Sequence, residues 1–563
     1  MYKKYLCLMI SLTCVPLISH AALNPQNAMV QQEQLVTAHA RQETRMKQFN
    51  SLKVVVEGSK TKSSVQKTET SLQKTSFFIQ KIQIQPDLKE LSFLKSYMQK
   101  HEQKTLSVIN INQLVQSMNQ TLLDKGYVTT QVRIPEQNIS HGILQLEVLP
   151  GKLKNVIYSP DSLKIPWKTA FPIRKGQLLN IRKLEQGLEQ MKRVTSRDVT
   201  MRLLPGNTIG TSNIELTIRE TDKPIHAFIN IDNSGLKATG KTQINTSFSI
   251  DNPLQSNDIL KFNFGGYAIG EGQIKQYRNQ SVDYSIAHDW NTYSLSYSKY
   301  KYKQLTTSLP YNFFYSGKTQ LIKFSWNHVF KRTQTKKSSF DISIQKRTAH
   351  SYINDMEIPV QALSMTSLEL AVSDRIYIKN STLYARLAQR FGVSWLGAQD
   401  NYDNADVPNS QYRMWLLDLD YYKPFLMGHR PANYTVSFHG QWNTGYRRLY
   451  SVDQLNIGNR YTVRGFDGEY TLMGENGWYL SQELVSIIPL LHSEIYLGFD
   501  IGSVYGVSTD VLVGNSIAGA VIGIRGNFKS GLGYDVYIGV PLYKPDGYRT
   551  HLINTGYSIY CRF

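Results

Sequence analysis

Two short stretches in the last quarter of the chain hold groups that could bind each other. One is Val463-Arg464-Gly465-Phe466 and the other is Gly498-Phe499-Asp500-Ile501-Gly502. An arginine fork and a carboxylate can form a two-pronged, charge-assisted contact that fixes both distance and orientation. That chemistry suits a lock between two segments. Taken alone, an isolated Arg and Asp read more readily as two unrelated lumen charges, and the spacing by itself does not pair them. Motifs for covalent or metal chemistry are missing. There is no G-x-S-x-G and no H-E-x-x-H, and the 12 His are scattered. Gly265-Gly266-Tyr267-Ala268-Ile269-Gly270 lacks the lysine and the helix of a phosphate-binding loop. No catalytic residue, metal or cofactor is expected, and the chain reads as something other than an enzyme.

The elements that must position this pair begin with an export signal. Lys3 and Lys4 precede an apolar run from Tyr5 to Ile18, and Ser19-His20-Ala21 supplies the small-x-small pattern of a cleavage site, so residues 1–21 are expected to be removed. Pro16 interrupts the run, which is also too short to span ~30 Å of hydrocarbon as a helix. Leu12-Thr13 ahead of Cys14 lacks the small residue of a lipoprotein site. Cys561 would then be the last cysteine left, so no intramolecular disulfide and no Cys/His zinc site is possible. No later apolar run reaches the roughly 18 residues of a transmembrane helix. The 35 Tyr, 21 Phe and 7 Trp instead favour a barrel, whose strands cross with only about 9–11 residues each. The net charge of +20 is spread along an exported chain. It points to a positive lumen and anionic outer-membrane lipid and lipopolysaccharide, with no nucleic-acid partner.

Residues 22–49 read as a helix started at Asn24-Pro25, rich in Gln, Ala, Glu and Lys and poor in apolar residues. Such a helix buries badly in a hydrophobic core but suits a wet channel. Residues 50–74 read as a flexible Ser/Thr/Lys/Gln linker. Two α/β units follow, 75–151 and 152–222. In the first, a strand over Phe77–Ile84, helices over Leu91–His101 and Ile111–Lys125 ended by Gly126, and strands over Tyr127–Pro135 and Gly142–Leu149 are expected. In the second, strands over Leu153–Tyr158, Val199–Leu204 and Asn213–Arg219 surround a helix over Ile181–Val194. The similar order suggests a divergent repeat. From 223 to 563 sixteen alternating, strand-length segments run from 225–233 to 553–563, an even number suited to closure. In the last, Tyr557, Ile559, Cys561 and Phe563 alternate with Ser558, Tyr560 and Arg562, giving one face to lipid and one to the lumen. The longest loop, 446–476, carries Arg464.

These features together resemble the outer-membrane transporters of two-partner secretion (TpsB type), relatives of the barrel-assembly protein BamA. Lys125-Gly126-Tyr127-Val128-Thr129-Thr130 through Leu146-Glu147-Val148-Leu149-Pro150-Gly151 is similar to the end of that family's first POTRA domain. Leu184-Glu185-Gln186-Gly187-Leu188-Glu189-Gln190-Met191 is similar to the helix of its second. Val463–Phe466 resembles the tip of the sixth extracellular loop, and Gly498–Gly502 the strand that receives it.

The resemblance implies a plug helix, two periplasmic POTRA domains and a sixteen-stranded outer-membrane barrel in which Arg464 and Asp500 lock loop to wall. It also implies export of a large partner exoprotein (an adhesin, a haemolysin or a contact-dependent inhibition toxin) by a monomeric pore without nucleotide hydrolysis. The partner would add a strand to a POTRA edge, which on this sequence involves regions 111–125 and 142–149. An outer-membrane assembly factor of the BamA type is the alternative. It is weakened by having only two POTRA units and a polar first helix, and a porin has no use for two periplasmic units.

Overall fold

A computed structural model of the chain describes residues 25–50, 76–267, 275–308 and 311–563, apart from 403, 405, 406, 446, 490, 491 and 529. The expected signal at 1–21 lies outside the described residues, as does all but the first residue of the expected linker at 50–74. The first element is helix α1 (Pro25–Asn50). No described helix is long and apolar enough to cross a membrane.

The first α/β unit contains β1 (Ser76–Ile79), β2 (Lys81–Gln85), α2 (Lys95–Gln99), β3 (Lys104–Ser107), α3 (Val108–Asp124), β4 (Gln131–Arg133) and β5 (Ile143–Leu149). A 3-10 turn over Lys89–Leu94 runs into α2, where one longer helix was expected. The expected strand over Phe77–Ile84 breaks at Gln80, because Gln80 N–H and Lys81 N–H both donate to the Gly142 carbonyl, at 2.8 and 3.2 Å. Its first part pairs with β3, which the sequence reading missed. The expected strand from Tyr127 to Pro135 shrinks to β4. Helix α3 starts on a capping box between Ser107 and Asn110. It ends where Gly126, at φ +93, lets Tyr127 N–H return to the Leu122 carbonyl at 2.8 Å.

The sheet order is β2-β5-β4, with β2 parallel and β4 antiparallel to β5. Strand β5 is the middle strand, paired with β2 at residues 143–147 and with β4 only at 147–149, and on the β4 side the Gln137 amide bonds both backbone groups of Gln145 at 2.7 Å. The outer edges of the sheet belong to β2 and β4, and each is likewise partly covered by a side chain. Asn119 of α3 bonds both backbone groups of Val132 in β4, at 2.8 and 2.9 Å, and Glu102 accepts from Ile82 N–H of β2 at 2.9 Å.

The second unit repeats this plan with β6 (Lys152–Tyr158), α4 (Ile181–Met191), β7 (Arg197–Pro205) and β8 (Thr211–Glu220), in the order β6-β8-β7. The strand pairings are again one parallel and one antiparallel. Phe171, Leu184, Leu188, Met191 and Ile214 form its core. Gly187 sits in mid-helix because a Cβ there would lie 2.3 Å from the Phe171 ring.

The barrel begins with β9 (Ile225–Asp232), β10 (Gln243–Asp251), β11 (Ile259–Tyr267) and β12 (Lys275–His288). It continues through β13 (Asn291–Ser308), β14 (Tyr311–Arg332), β15 (Lys336–Ile353), the two-residue β16 (Met356–Glu357), β17 (Leu363–Ile378) and β18 (Ser381–Val393). Next come β19 (Arg413–Met427), β20 (Arg430–Asn443), and the short β21 (Leu455–Ile457) and β22 (Leu472–Gly474), which pair with each other inside one loop. The rest are β23 (Asn476–Ile488), β24 (Ser493–Tyr505), β25 (Ser516–Asn527), β26 (Leu532–Tyr543) and β27 (Asn554–Arg562). The sixteen long strands pair antiparallel with their neighbours, and β27 closes on β9. Closure leaves no sheet edge in the hydrocarbon. At the last strand Ile559 and Phe563 are exposed outward, while Ser558 bonds Asn230 on the inner face.

The second unit is seated on one end of the barrel by charge. Arg332, at the end of β14, reaches Glu189 at 2.6 Å and Glu185 at 3.5 Å, and Lys337 in β15 also contacts Glu189. Arg174–Asp289, Arg193–Ser285 and Ser196–Asp251 contacts extend the seat along the turns at that end. Burial alone would raise the Glu189 pKa. Lys337 and Arg332 outweigh burial and hold the carboxyl well below the ordinary carboxylate range.

A depressed carboxylate pKa contributes stability above the ordinary carboxylate range and loses it as pH falls toward the folded value. The seat should therefore persist at pH 5 and loosen only well below about pH 4. Glu189→Gln should weaken it at neutral pH by about 3 kcal/mol, because two cations lose their buried partner. Hydrogen exchange in residues 181–191, as a function of pH, measures both effects.

Candidate functional site: the loop lock and the lumen helix

The long loop leaves β20 after Asn443 and returns at β23 with Asn476. It lies at the barrel end opposite the second α/β unit, since it follows an odd number of turns from the 252–258 connection that touches that unit. The loop is packed inside the barrel. Leu455, Ile457, Val463, Phe466 and Leu472 form a buried cluster with Tyr479, Val504, Ile517 and Tyr548 of the barrel wall and its loops. The Phe466 ring meets the Tyr548 ring edge-on, with centroids 5.4 Å apart.

At the tip, Arg464 meets Asp500. Arg464 Nε lies 2.7 Å from Asp500 Oδ2, its Nη2 lies 2.9 Å from Oδ1, and its backbone N–H donates to Oδ2 at 2.9 Å. Ser481, directly across the β23–β24 ladder from Asp500, donates to Oδ1 at 2.6 Å. The site contains more than this pair. Arg464 Nη1 also contacts Glu483 at 2.8 Å, Glu483 contacts Arg525 at 2.8 Å, and Arg525 reaches Glu494 at 2.8 Å. Asp500 is almost fully buried, at 1% side-chain exposure. Burial alone would lower the Arg464 pKa, but Asp500 and Glu483 outweigh it and keep the guanidinium charged.

Glycines make room for this contact. A Cβ on Gly519 would lie 2.0 Å from the Arg464 carbonyl, and one on Gly498 would lie 2.5 Å from Arg464 Nη2. Gly465 has φ +102, a conformation that penalises any side chain, and a Cβ there would lie 2.5 Å from the Val540 carbonyl. Asn554 completes the seat, its amide donating to the Gly465 carbonyl at 2.7 Å. Gly502 underlies Val463.

The structure thus brings together Val463, Arg464, Gly465, Phe466, Gly498, Asp500 and Gly502. Phe499 is not part of the site. It is 41% exposed on the outer wall, because neighbouring strand residues face opposite sides. That outcome was readable from Asp500 by alternation. Ser481, Glu483, Arg525, Gly519 and Asn554 were missed, and only strand register and loop placement bring them to the tip. Among the described residues, no group of three or more His, Cys, Asp or Glu is placed to hold a metal.

Helix α1 lies in the lumen between this loop and the wall. Gln31 donates to Thr471 at 2.9 Å, and Gln32 accepts from Thr239 at 3.2 Å. Gln34 donates to the carbonyls of Ser451 and Gln454, at 2.8 and 3.0 Å, and accepts from Asn456 at 2.8 Å. Glu33 pairs with Arg347 of β15 at 2.6 Å. Apolar contact is sparse, with Leu35 packing on Leu236.

The family model described as haemolysin secretion/activation protein ShlB/FhaC/HecB matches residues 210–526. A ShlB-type POTRA domain matches 77–151, and a POTRA domain matches 152–205. The outer membrane transporter CdiB-2 of Burkholderia pseudomallei (strain 1026b) is 37% identical over 84% of this chain and 82% of its own length. The hemolysin transporter protein HpmB of Proteus mirabilis is 29% identical over 70% of each chain. Among solved structures, CdiB from Acinetobacter baumannii superposes with a TM-score of 0.81 at 25% identity, covering 95% of this chain and 99% of its own. CdiB from Escherichia coli has the same fold, with a TM-score of 0.82 at 23% identity over 97% and 100% of the two chains.

Removing either member of the central pair strands a buried charge. Arg464→Ala and Asp500→Ala should each leave a heat-modifiable, membrane-inserted barrel but make the 444–475 loop cleavable by added protease. Gly519→Val should do the same by steric exclusion alone. A loop that stays protected in all three variants would contradict this account of how it is held.

Proposed function

Since the chain belongs to the haemolysin secretion/activation family of ShlB, FhaC and HecB, we propose how it moves its cargo: an unfolded partner binds the first POTRA domain, α1 leaves the lumen, and the partner passes through the barrel without nucleotide hydrolysis. The chain is an outer-membrane transporter with its POTRA domains in the periplasm, and its family exports large partner proteins. Folding of the partner outside the cell gives the movement its direction. One copy suffices, since each closed barrel encloses its own path.

The chemistry by which α1 is held carries this reading. A permanent core element would bury an apolar face. Helix α1 instead presents Gln31, Gln32, Glu33 and Gln34 to the loop and the wall. Hydrogen bonds of this kind contribute only about 1 kcal/mol each, because water or another polypeptide can replace them. Apart from the Glu33–Arg347 ion pair, the helix is thus retained by contacts that exchange readily. Residues 51–75, between it and β1 in sequence, are rich in Ser, Thr, Lys and Gln.

Docking by strand addition would use the edge of β4 beside α3. An incoming segment there must replace the Asn119 amide, which now occupies Val132 on both its N–H and its carbonyl. The loop lock has a separate role. It keeps the 444–475 segment against the wall, and that segment frames one side of the path.

Deleting residues 26–49 should raise single-channel conductance in planar bilayers several-fold. Unchanged conductance would remove the plug role. In cells that co-express the partner exoprotein, Arg464→Ala and Asp500→Ala should each cut secretion at least about tenfold with normal barrel insertion, the loss corresponding to a disrupted buried pair. Full secretion by both would refute a transport role for the lock.

A further inference from the structure

The wall opposite Gln34 carries an uneven set of charges around a cavity of about 210 Å³ beside α1. Arg386 and Arg390 share Glu369, and Asp418 is engaged by His439 and Arg386. The carboxylates of this wall are therefore already taken. Lys323 borders the same cavity and, among the described residues, has no carboxylate within 4.0 Å. Arg347 has one such partner among the described residues, Glu33 of the helix. Both side chains are largely buried, at 13% and 6% exposure.

If α1 withdraws, Arg347 loses the one carboxylate within 4.0 Å of it among the described residues and turns to an opened lumen, with Lys323 beside it on the cavity wall and Asp453 of the loop at longer range. A guanidinium left in that position favours a carboxylate on whatever chain passes it, because the two can form a charge-assisted, two-pronged contact. The loop is left in a matching condition. The carbonyls of Ser451 and Gln454 lose a donor, and the Asn456 amide loses an acceptor. The Gln34 side chain that served all three is a carboxamide, the same functional group as a peptide bond. Any extended chain carries that group at every residue.

We propose that Arg347, the Ser451 and Gln454 carbonyls and Asn456 form a binding site for an extended polypeptide with an acidic side chain, and that α1 occupies it at rest as a substrate mimic. The carboxylate of the passing chain takes the place of Glu33, and its backbone amides take the place of Gln34. Lys323 adds a second positive charge along the same wall. This site rests on the reading that α1 leaves the lumen during transport, and it names the chemistry the lumen then selects.

The test uses the full chain carrying Glu33→Arg, which sets two cations against each other and should open the pore in planar bilayers. Oligoglutamate should then block the current at about tenfold lower concentration than oligolysine, as a charge-assisted contact implies. Adding Arg347→Gln should abolish this preference, and Arg347→Lys should retain most of it. The lysine variant separates loss of charge from loss of folding. Equal preference in the Arg347→Gln chain, or stronger block by oligolysine, would overturn the site. A pore that opens on deletion of residues 26–49 but stays closed with Glu33→Arg would overturn it too, while leaving the plug reading intact.

Discussion

Much of the molecule depends on one buried guanidinium. Arg464 enters the barrel on a loop and finds Asp500, Glu483 and Ser481 already fixed on β23 and β24. The two carboxylates and the neighbouring Arg525 balance its charge, so the cluster is stable only when complete. Completing it fixes the position of the whole 444–475 segment, and the glycines at 498, 519 and 539 let that segment lie flat against the wall.

The helix in the lumen depends on that placement. Ser451, Gln454, Asn456 and Thr471, which hold Gln34 and Gln31, are loop residues. Loss of the lock would therefore disturb half of the helix seat without touching the helix. The two devices differ in chemistry. The loop is held by a charged cluster and an apolar core, which are costly to dismantle. Among the described residues, the helix is held to the barrel by amides and one ion pair. This difference in strength would let the helix exchange while the loop stays, as the proposed transport requires.

The same logic extends to the periplasmic end. Glu185 and Glu189 on α4 clamp Arg332 and Lys337 at the start of the barrel. The second unit is thereby joined rigidly to the strands that also carry Arg347, since β14 and β15 hold both the clamp and the lumen site. The first unit is attached more lightly, through contacts such as Ile181 N–H to the Gly126 carbonyl.

The local period of the residues was legible without any structure. Alternation marked all sixteen long strands, and a polar, proline-started segment marked α1, because both patterns depend only on which face a residue presents. Gly126 was legible as a helix stop for the same local reason. The first α/β unit was read less well. A single Gly142 carbonyl, distant in sequence, splits β1 from β2, and β5 proved to be the middle strand, a matter of sheet order that no local pattern carries. The lock divides in the same way. Sequence alone determined that Arg464 and Asp500 could bind each other, and that Phe499 must face away from Asp500. Tertiary structure decided that Glu483, Ser481, Arg525 and Asn554 complete the site, and that Glu33 meets Arg347. These residues lie on separate strands and loops, and their meeting depends on ladder register and barrel closure, which arise only when the whole chain has packed.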